Sequence, residues 1–289
     1  MGLWSELVDS LAGLLAYFPP SPPTYVLNRS ESGALRLAGA FVRDIERCRV
    51  LELETKRRRG GGGGQRIIAV HVTKDEPEFG SRGKKTILHS HGNAVDLGIM
   101  QSVYRHLSED LGVNVLGYDY SGYGWSTGTC SIRNTFADIR TCWNYLVEDC
   151  GVDPKDIILY GQSVGSGPTC EFASKLEELG GVILHSPLAS GFRVLRPDVK
   201  RWPVWLDIYP NLEFVPKINC PILIMHGTAD EVIDISNATL LHSLAKYPRT
   251  PLWAEGYNHQ NLDFSPEYQP KLEEFLRSLE RGDQTPTKE

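Results

Sequence analysis

The chain has 289 residues, 41% hydrophobic and 23% charged, a balance that excludes a disordered or collagen-like polymer and predicts a globular protein with a sizeable core. Thirty Lys and Arg against 36 Asp and Glu leave a net charge of -6, so there is no broad basic surface for counterion-release binding, and nucleic acid is excluded as a main partner. No apolar run approaches the ~20 residues that cross a bilayer. The N-terminus shows neither a positive n-region nor a small-residue cleavage site, so no secretory or organellar leader is expected. Cys48, Cys130, Cys142, Cys150, Cys170 and Cys220 form no C-x-x-C pair and no zinc-finger spacing, which fits a reduced cytoplasmic compartment and predicts no metal or other cofactor.

In chain order, residues 3–18 come first, with Trp4, Leu7, Val8, Leu11, Leu14, Leu15 and Phe18 at helical spacing and Glu6 and Asp9 on the polar face. Pro19, Pro20, Pro22 and Pro23 then predict a stiff extended connector. Residues 1–24 are accordingly read as an amphipathic helix and connector, whose apolar face either packs on the domain or lies in a membrane interface. Strand-like runs over Arg49–Thr55 and Arg66–Val72 flank Lys56, Arg57, Arg58, Arg59 and the glycines Gly60 to Gly64. This is a hairpin with a flexible basic tip, either a solvated loop or a contact for anionic headgroups.

From Lys85 onward short apolar strands alternate with longer amphipathic segments. The strands are Thr86–Ser90, Val113–Tyr118, Asp156–Tyr160, Val182–His185, Ile222–His226 and Pro251–Ala254; the helices are Asp96–Leu111, Ser131–Cys150, Val164–Leu179, Ser236–Tyr247 and Pro266–Leu279, the last with Ser265-Pro266 as cap and first turn. Such alternation predicts an α/β fold with a mostly parallel central sheet and helices on both faces. The domain is placed at residues 25–280, followed by a flexible tail over 281–289.

Chemistry enters where the strand ending at Tyr160 runs into Gly161-Gln162-Ser163-Val164-Gly165 with a helix after it. G-x-S-x-G in strand–turn–helix context holds a serine exposed at the carboxyl edge of the sheet. A serine at its ordinary pKa is a poor nucleophile and needs a base oriented by a carboxylate. Asp230 lies just past the strand ending at His226, with Asp234 as a fallback, and His259 follows the next strand in Gly256-Tyr257-Asn258-His259. The chain order Ser163, Asp230, His259 matches the nucleophile, acid, base order of α/β-hydrolases. The backbone N–H of Val164, with that of Asn93 or Ala94, would receive the oxyanion. His185 and His226 at strand ends, and the pair His89 and His91, are weaker candidates.

The segments His91-Gly92-Asn93-Ala94-Val95-Asp96-Leu97-Gly98, Tyr118-Asp119-Tyr120-Ser121-Gly122-Tyr123-Gly124, Tyr160-Gly161-Gln162-Ser163-Val164-Gly165, His185-Ser186-Pro187-Leu188 and His226-Gly227-Thr228 resemble the α/β-hydrolase-domain-containing protein 17 family, over roughly Pro19 to Leu279. The resemblance implies an α/β-hydrolase fold and a membrane-associated serine hydrolase that removes palmitate from cysteines of cytosolic proteins. Ser163, Asp230 and His259 fall on that family's triad. One departure is that the family attaches to membranes through an acylated cysteine cluster near its N-terminus, whereas the first cysteine here is Cys48.

The stretch from Pro187 to Cys220 leaves room for only a minimal lid, so an open site is expected, suited to substrates displayed on a protein or membrane. Drawing an acyl chain from lipid forfeits up to about 0.8 kcal/mol per CH2, which calls for an apolar groove. Leu97, Trp202, Trp205 and Leu206 are its candidate lining, though the same residues equally suit core packing. The expectation is therefore a palmitoyl-protein thioesterase acting on S-acylated proteins, cytoplasmic and peripheral at the cytosolic face of the plasma membrane or endomembranes, touching it through the N-terminal helix and the Lys56 to Arg59 loop. A carboxylesterase or lipid hydrolase acting on oxygen esters is the alternative, since the triad does not read the leaving atom, and an inactive membrane-recruited scaffold is a further one.

Overall fold

The computed structural model describes residues 17–42, 47–56, 64–73, 85–195 and 207–281. Residues 3–16 of the amphipathic run over 3–18, residues 57–63 of the basic tip that starts at Lys56, and the tail beyond Arg281 lie outside the described residues. The chain divides between Ile157 and Ile158 into two compact units.

The first unit opens with a hairpin that sequence periodicity missed, β1 (Val26–Arg29) against β2 (Leu35–Ala38). These strands have only four residues each and bury a single side chain, Leu37, between them, so they carry little alternation to read. The signal that could have found them is the turn Ser30-Glu31-Ser32-Gly33, closed by Gly33 N–H to Ser30 O and Ser30 N–H to Ala34 O. The expected hairpin follows as β3 (Cys48–Glu54) and β4 (Arg66–Val72) in antiparallel register. With β5 (Thr86–Ser90) and β6 (Asn114–Tyr118) the order in this unit is β1-β2-β3-β4-β6-β5; only β5 and β6 pair in parallel. Every residue of β5 and β6 is buried, the reason these strands read as continuous runs rather than alternating ones.

Helix α1 (Leu97–Leu111) starts at Asp96, whose Oδ1 accepts from the Gly98 N–H at 3.0 Å, and stops at Gly112 with φ +70°. Helix α2 (Ile132–Asn144) is capped by Ser131 and widens into a π turn over Tyr145–Asp149, so the single helix expected to Cys150 changes pitch in its last turn.

The proline-rich connector is pinned to this unit. Thr24 donates to Asp96 through its N–H at 2.7 Å and also through its hydroxyl. Tyr25 donates its hydroxyl to Asp119 Oδ2 at 2.7 Å, while the Leu97 N–H reaches Asp119 Oδ1 at 3.0 Å. Tyr17 sets its ring edge-on to Tyr120 and Tyr123. Burial pushes the Asp119 carboxyl well above the usual range, and the bonds from Tyr25 and Leu97 pull against that shift.

The second unit is parallel throughout. Strands β7 (Ile157–Gln162), β8 (Gly181–His185), β9 (Ile222–Gly227) and β10 (Leu252–Ala254) lie in that order, with Gln162 opposite His185, His185 opposite Met225 and Ala254 opposite Gly227. Helix α3 (Ser166–Ala173) is shorter than the segment expected to Leu179. Ser174 bonds back to Glu171 O, and Lys175 and Leu176 donate three residues back, which tightens and ends the helix. Between β8 and β9 the described helices are short, α4 (Gly191–Leu195) and α5 (Asn211–Phe214). Helix α6 (Ser236–Leu244) precedes β10, and α7 (Tyr268–Glu280) closes the unit. It begins two residues later than expected because Ser265 accepts from Glu267 and Tyr268 N–H in a preceding turn.

The Tyr25–Asp119 bond should be measurable as stability. Tyr25→Phe leaves a buried acceptor without its donor, a loss of about 1–3 kcal/mol that lowers the urea midpoint. An unchanged midpoint would show that the connector is not held this way.

Candidate active site

The register of the second unit sets the site. Gln162, His185, Gly227 and Ala254 end adjacent parallel strands at one edge, so the residues that follow them emerge side by side. Ser163 comes directly after β7 in a tight turn, Ser163–Gly165, with φ +53°, a left-handed conformation that costs a non-glycine residue about 1–2 kcal/mol. The turn forces the strand against the helix that follows. A Cβ on Gly161 would sit 2.7 Å from Thr169 Oγ1 and 2.8 Å from Gly165 O, so only glycine fits. Ser166 holds the turn from below: its hydroxyl donates to Ser163 O at 2.6 Å and accepts from the Leu188 N–H and Asn211 Nδ2, each at 3.3 Å.

The acid loop leaves β9 at Gly227 and the base loop leaves β10 at Ala254, and the two are stitched together. Thr228 N–H donates to Ala254 O, Ala229 N–H to Tyr257 O and Gly256 N–H to Thr228 Oγ1, each at 2.9 Å. Gly227 has no side chain to spare, since its Cβ would fall 2.1 Å from Tyr257 O. His259 is framed by two asparagines: Asn258 Oδ1 accepts from the Gln260 N–H at 3.0 Å, and Asn261 Oδ1 from the Asn258 N–H at 2.7 Å. Sequence reasoning missed Thr228 and Asn261 as supports; an Asn two positions after the histidine, where short polar side chains favour local turns, was the available signal.

Ser163, His259 and Asp230 are brought into one relay. His259 Nε2 lies 2.9 Å from Ser163 Oγ and its Nδ1 lies 2.8 Å from Asp230 Oδ2. With a carboxylate at Nδ1 the ring proton belongs there, leaving Nε2 to accept from the serine hydroxyl. Asp230 Oδ1 accepts from Val232 N–H at 2.9 Å and Ile233 N–H at 2.8 Å. Burial by itself raises the Asp230 carboxyl, but the donors from His226, His259 and Ile233 outweigh it and hold the group well below the usual carboxylate range. The fallback Asp234 is not part of the relay; it accepts from Ser236 N–H at 2.9 Å at the start of α6.

Outside this site the chain is 39% identical over 276 residues to alpha/beta hydrolase domain-containing protein 17B of Homo sapiens, spanning 92% of this chain and 90% of that one. It is likewise 39% identical over 283 residues to protein 17C of Xenopus tropicalis, spanning 92% and 89%. The chain belongs to the alpha/beta hydrolase domain-containing protein 17 family. A family model described as serine aminopeptidase, S33, matches residues 81–214. An esterase of Pyrococcus furiosus, 18% identical, superposes with a TM-score of 0.63 over 80% of this chain and 91% of its own. The esterase domain of a Rhodothermus marinus protein, 20% identical, gives 0.57 over 80% and 98%. The fold is thus the α/β-hydrolase fold, mostly parallel as expected, and the protein is a hydrolase.

The remaining candidates of this family member are placed as follows. Val164 follows Ser163 in the same turn and is buried. In the first unit Asn93 Oδ1 accepts from Phe18 N–H, Tyr123 hydroxyl and its neighbour's Ala94 N–H at 2.8, 2.7 and 2.9 Å, so the Ala94 N–H is already directed at a side chain. Leu97 is fully buried at the start of α1. Trp202, Trp205 and Leu206 lie outside the described residues. His89 packs on the Tyr104 ring, and His91 sets Nδ1 2.7 Å from Gly92 O.

The depressed Asp230 carboxyl makes a pH prediction. Its folded value lies below its unfolded one, so the stabilisation is present above the unfolded range near pH 4 and is lost as pH falls below it. The stability gap between wild type and Asp230→Asn should be widest near neutrality and shrink between about pH 5 and about pH 3 in urea titrations. A gap constant across that range would contradict the assignment.

Proposed function

We propose that the protein is a serine hydrolase that cleaves palmitoyl thioesters from S-acylated cytoplasmic proteins at a membrane surface, with Ser163 as nucleophile, His259 as general base and Asp230 as the acid that orients it. The observation that carries the reading is the continuous relay from Asp230 Oδ2 through His259 to Ser163 Oγ, with heavy-atom distances of 2.8 and 2.9 Å. Family membership supports it, since the sequence resemblance implies depalmitoylation and the chain aligns with its relatives over nearly its full length.

In the acylation step Ser163 Oγ gives its proton to His259 Nε2 and attacks the thioester carbonyl carbon. The negative charge that develops on the carbonyl oxygen is received by backbone N–H donors, for which Val164 is the candidate nearest along the chain; each such donor is worth about 3 kcal/mol in the transition state. The C–S bond then breaks, His259 gives its proton to the departing sulfur so that the cysteine leaves as the thiol and the imidazole is neutral again, and the acyl group remains on Ser163. Water, deprotonated by His259, attacks the acyl-enzyme, and the proton returns to Ser163 as the fatty acid departs. Because the Asp230 carboxyl sits well below the usual range, it stays ionised and steadies the imidazolium formed in both steps.

Membrane contact would fall to the amphipathic stretch over residues 3–18 and to the Lys56 to Arg59 tip, whose composition suits an interface and anionic headgroups.

Ser163→Ala should lower kcat by on the order of 10^6 and abolish labelling by a fluorophosphonate probe. Retained turnover in that variant would sink the assignment. Palmitoyl thioester and oxygen-ester substrates of equal chain length, compared on wild type, decide the leaving atom. Faster cleavage of the thioester supports depalmitoylation, and a marked preference for the oxygen ester favours the esterase reading.

A further inference from the structure

A second histidine approaches the Asp230 carboxylate. His226 is the penultimate residue of β9, opposite Trp253 of β10, and it is completely buried. Its Nε2 lies 2.8 Å from Ile233 O and 3.2 Å from Asp230 Oδ2. Both neighbours are acceptors, so Nε2 must carry the ring proton and share it between them. Its Nδ1 is buried with no hydrogen-bond partner. A buried imidazole that satisfies only one of its nitrogens is a costly way to fill space, and an apolar side chain of similar size would pack there at less expense.

What the imidazole supplies is a single donor at the point where the acid loop closes. Ile233 O belongs to the same residue whose N–H holds Asp230 Oδ1, so one proton joins the strand end, the far side of the loop and the carboxylate. Oδ2 is thereby fixed between two imidazoles, His259 on one side and His226 on the other. We propose that His226 is a positioning residue for hydrolysis: by donating to Asp230 Oδ2 and Ile233 O it locks the carboxylate in the orientation that aims His259 at Ser163. The inference rests on the reading of Ser163, His259 and Asp230 as the catalytic relay. The other titratable groups that face this cluster are His185 at the end of β8 and Asp234 before α6.

The test uses the full-length enzyme with a soluble acyl thioester and compares wild type, His226→Phe, His226→Gln and Ser163→Ala. Phenylalanine keeps the ring and removes the donor, whereas the glutamine amide can place an N–H where Nε2 stands. Expected is a fall in kcat on the order of tenfold or more for His226→Phe with KM unchanged, and recovery of most of that loss in His226→Gln. Wild-type kcat in folded His226→Phe, or a His226→Gln enzyme as slow as His226→Phe, would overturn the proposal. Ser163→Ala separates the two levels: turnover surviving there defeats the relay itself, while its loss together with an unaffected His226→Phe defeats only the role of His226. Should His226→Phe not fold, the imidazole 15N spectrum of wild type decides. Protonated Nε2 and bare Nδ1 on His226 support the assignment, and the opposite tautomer refutes it.

Discussion

The second unit depends on one buried carboxylate. Asp230 is taken out of water and would be driven toward its neutral form, yet four donors converge on it: two backbone N–H groups on Oδ1 and two imidazoles near Oδ2. Each donor favours the charged form, and together they reverse the effect of burial. The charge in turn organises its surroundings. It selects the His259 tautomer with a proton on Nδ1, which frees Nε2 for Ser163, and it closes the loop from Gly227 to Ile233 on itself.

Precision at such a site is a matter of backbone rather than of the three side chains alone. A shift of about 1 Å in a reacting group can cost a hundredfold in rate. Here the acid and base loops exchange two main-chain hydrogen bonds and a third through Thr228, so they move as one piece. The nucleophile turn is held by Ser166, which joins Ser163 O to the Leu188 backbone and to the buried Asn211. The left-handed conformation of Ser163 persists because this surrounding structure over-determines it.

The first unit handles its buried charges differently. Asp96 caps α1 and also receives Thr24, and Asp119 receives Tyr25 and the Leu97 N–H. Asp138 takes both the N–H and the hydroxyl of Ser121 at 2.8 Å, and burial still pushes it up to about 7. Asp96 and Asp119 tie the N-terminal connector to the start of α1, and Asp138 ties the Ser121 loop to the middle of α2. Beside them the Tyr17 ring packs edge-on against Tyr120 and Tyr123, and the Tyr123 hydroxyl reaches the Asn93 side chain.

Periodicity and motif context were enough to name the parallel strands, the strand–turn–helix around Ser163 and the chain order of Asp230 and His259, because each is a local pattern or a position at a strand end. Short exposed strands such as Val26–Arg29 were not legible, since four residues with no buried side chain carry too little alternation. The early stop of the helix at Ala173 was hidden as well, because side-chain back-bonding at Ser174 competes with a sequence that otherwise favours continuing. The choice between Asp230 and Asp234 was open until the fold closed, as loop geometry lies in no residue pattern. Residue types and their order decide which chemistry the chain can support. Packing alone decided that both histidines meet the same oxygen of Asp230 while the backbone takes the other, because hydrogen-bond direction and burial are properties of distant segments brought together.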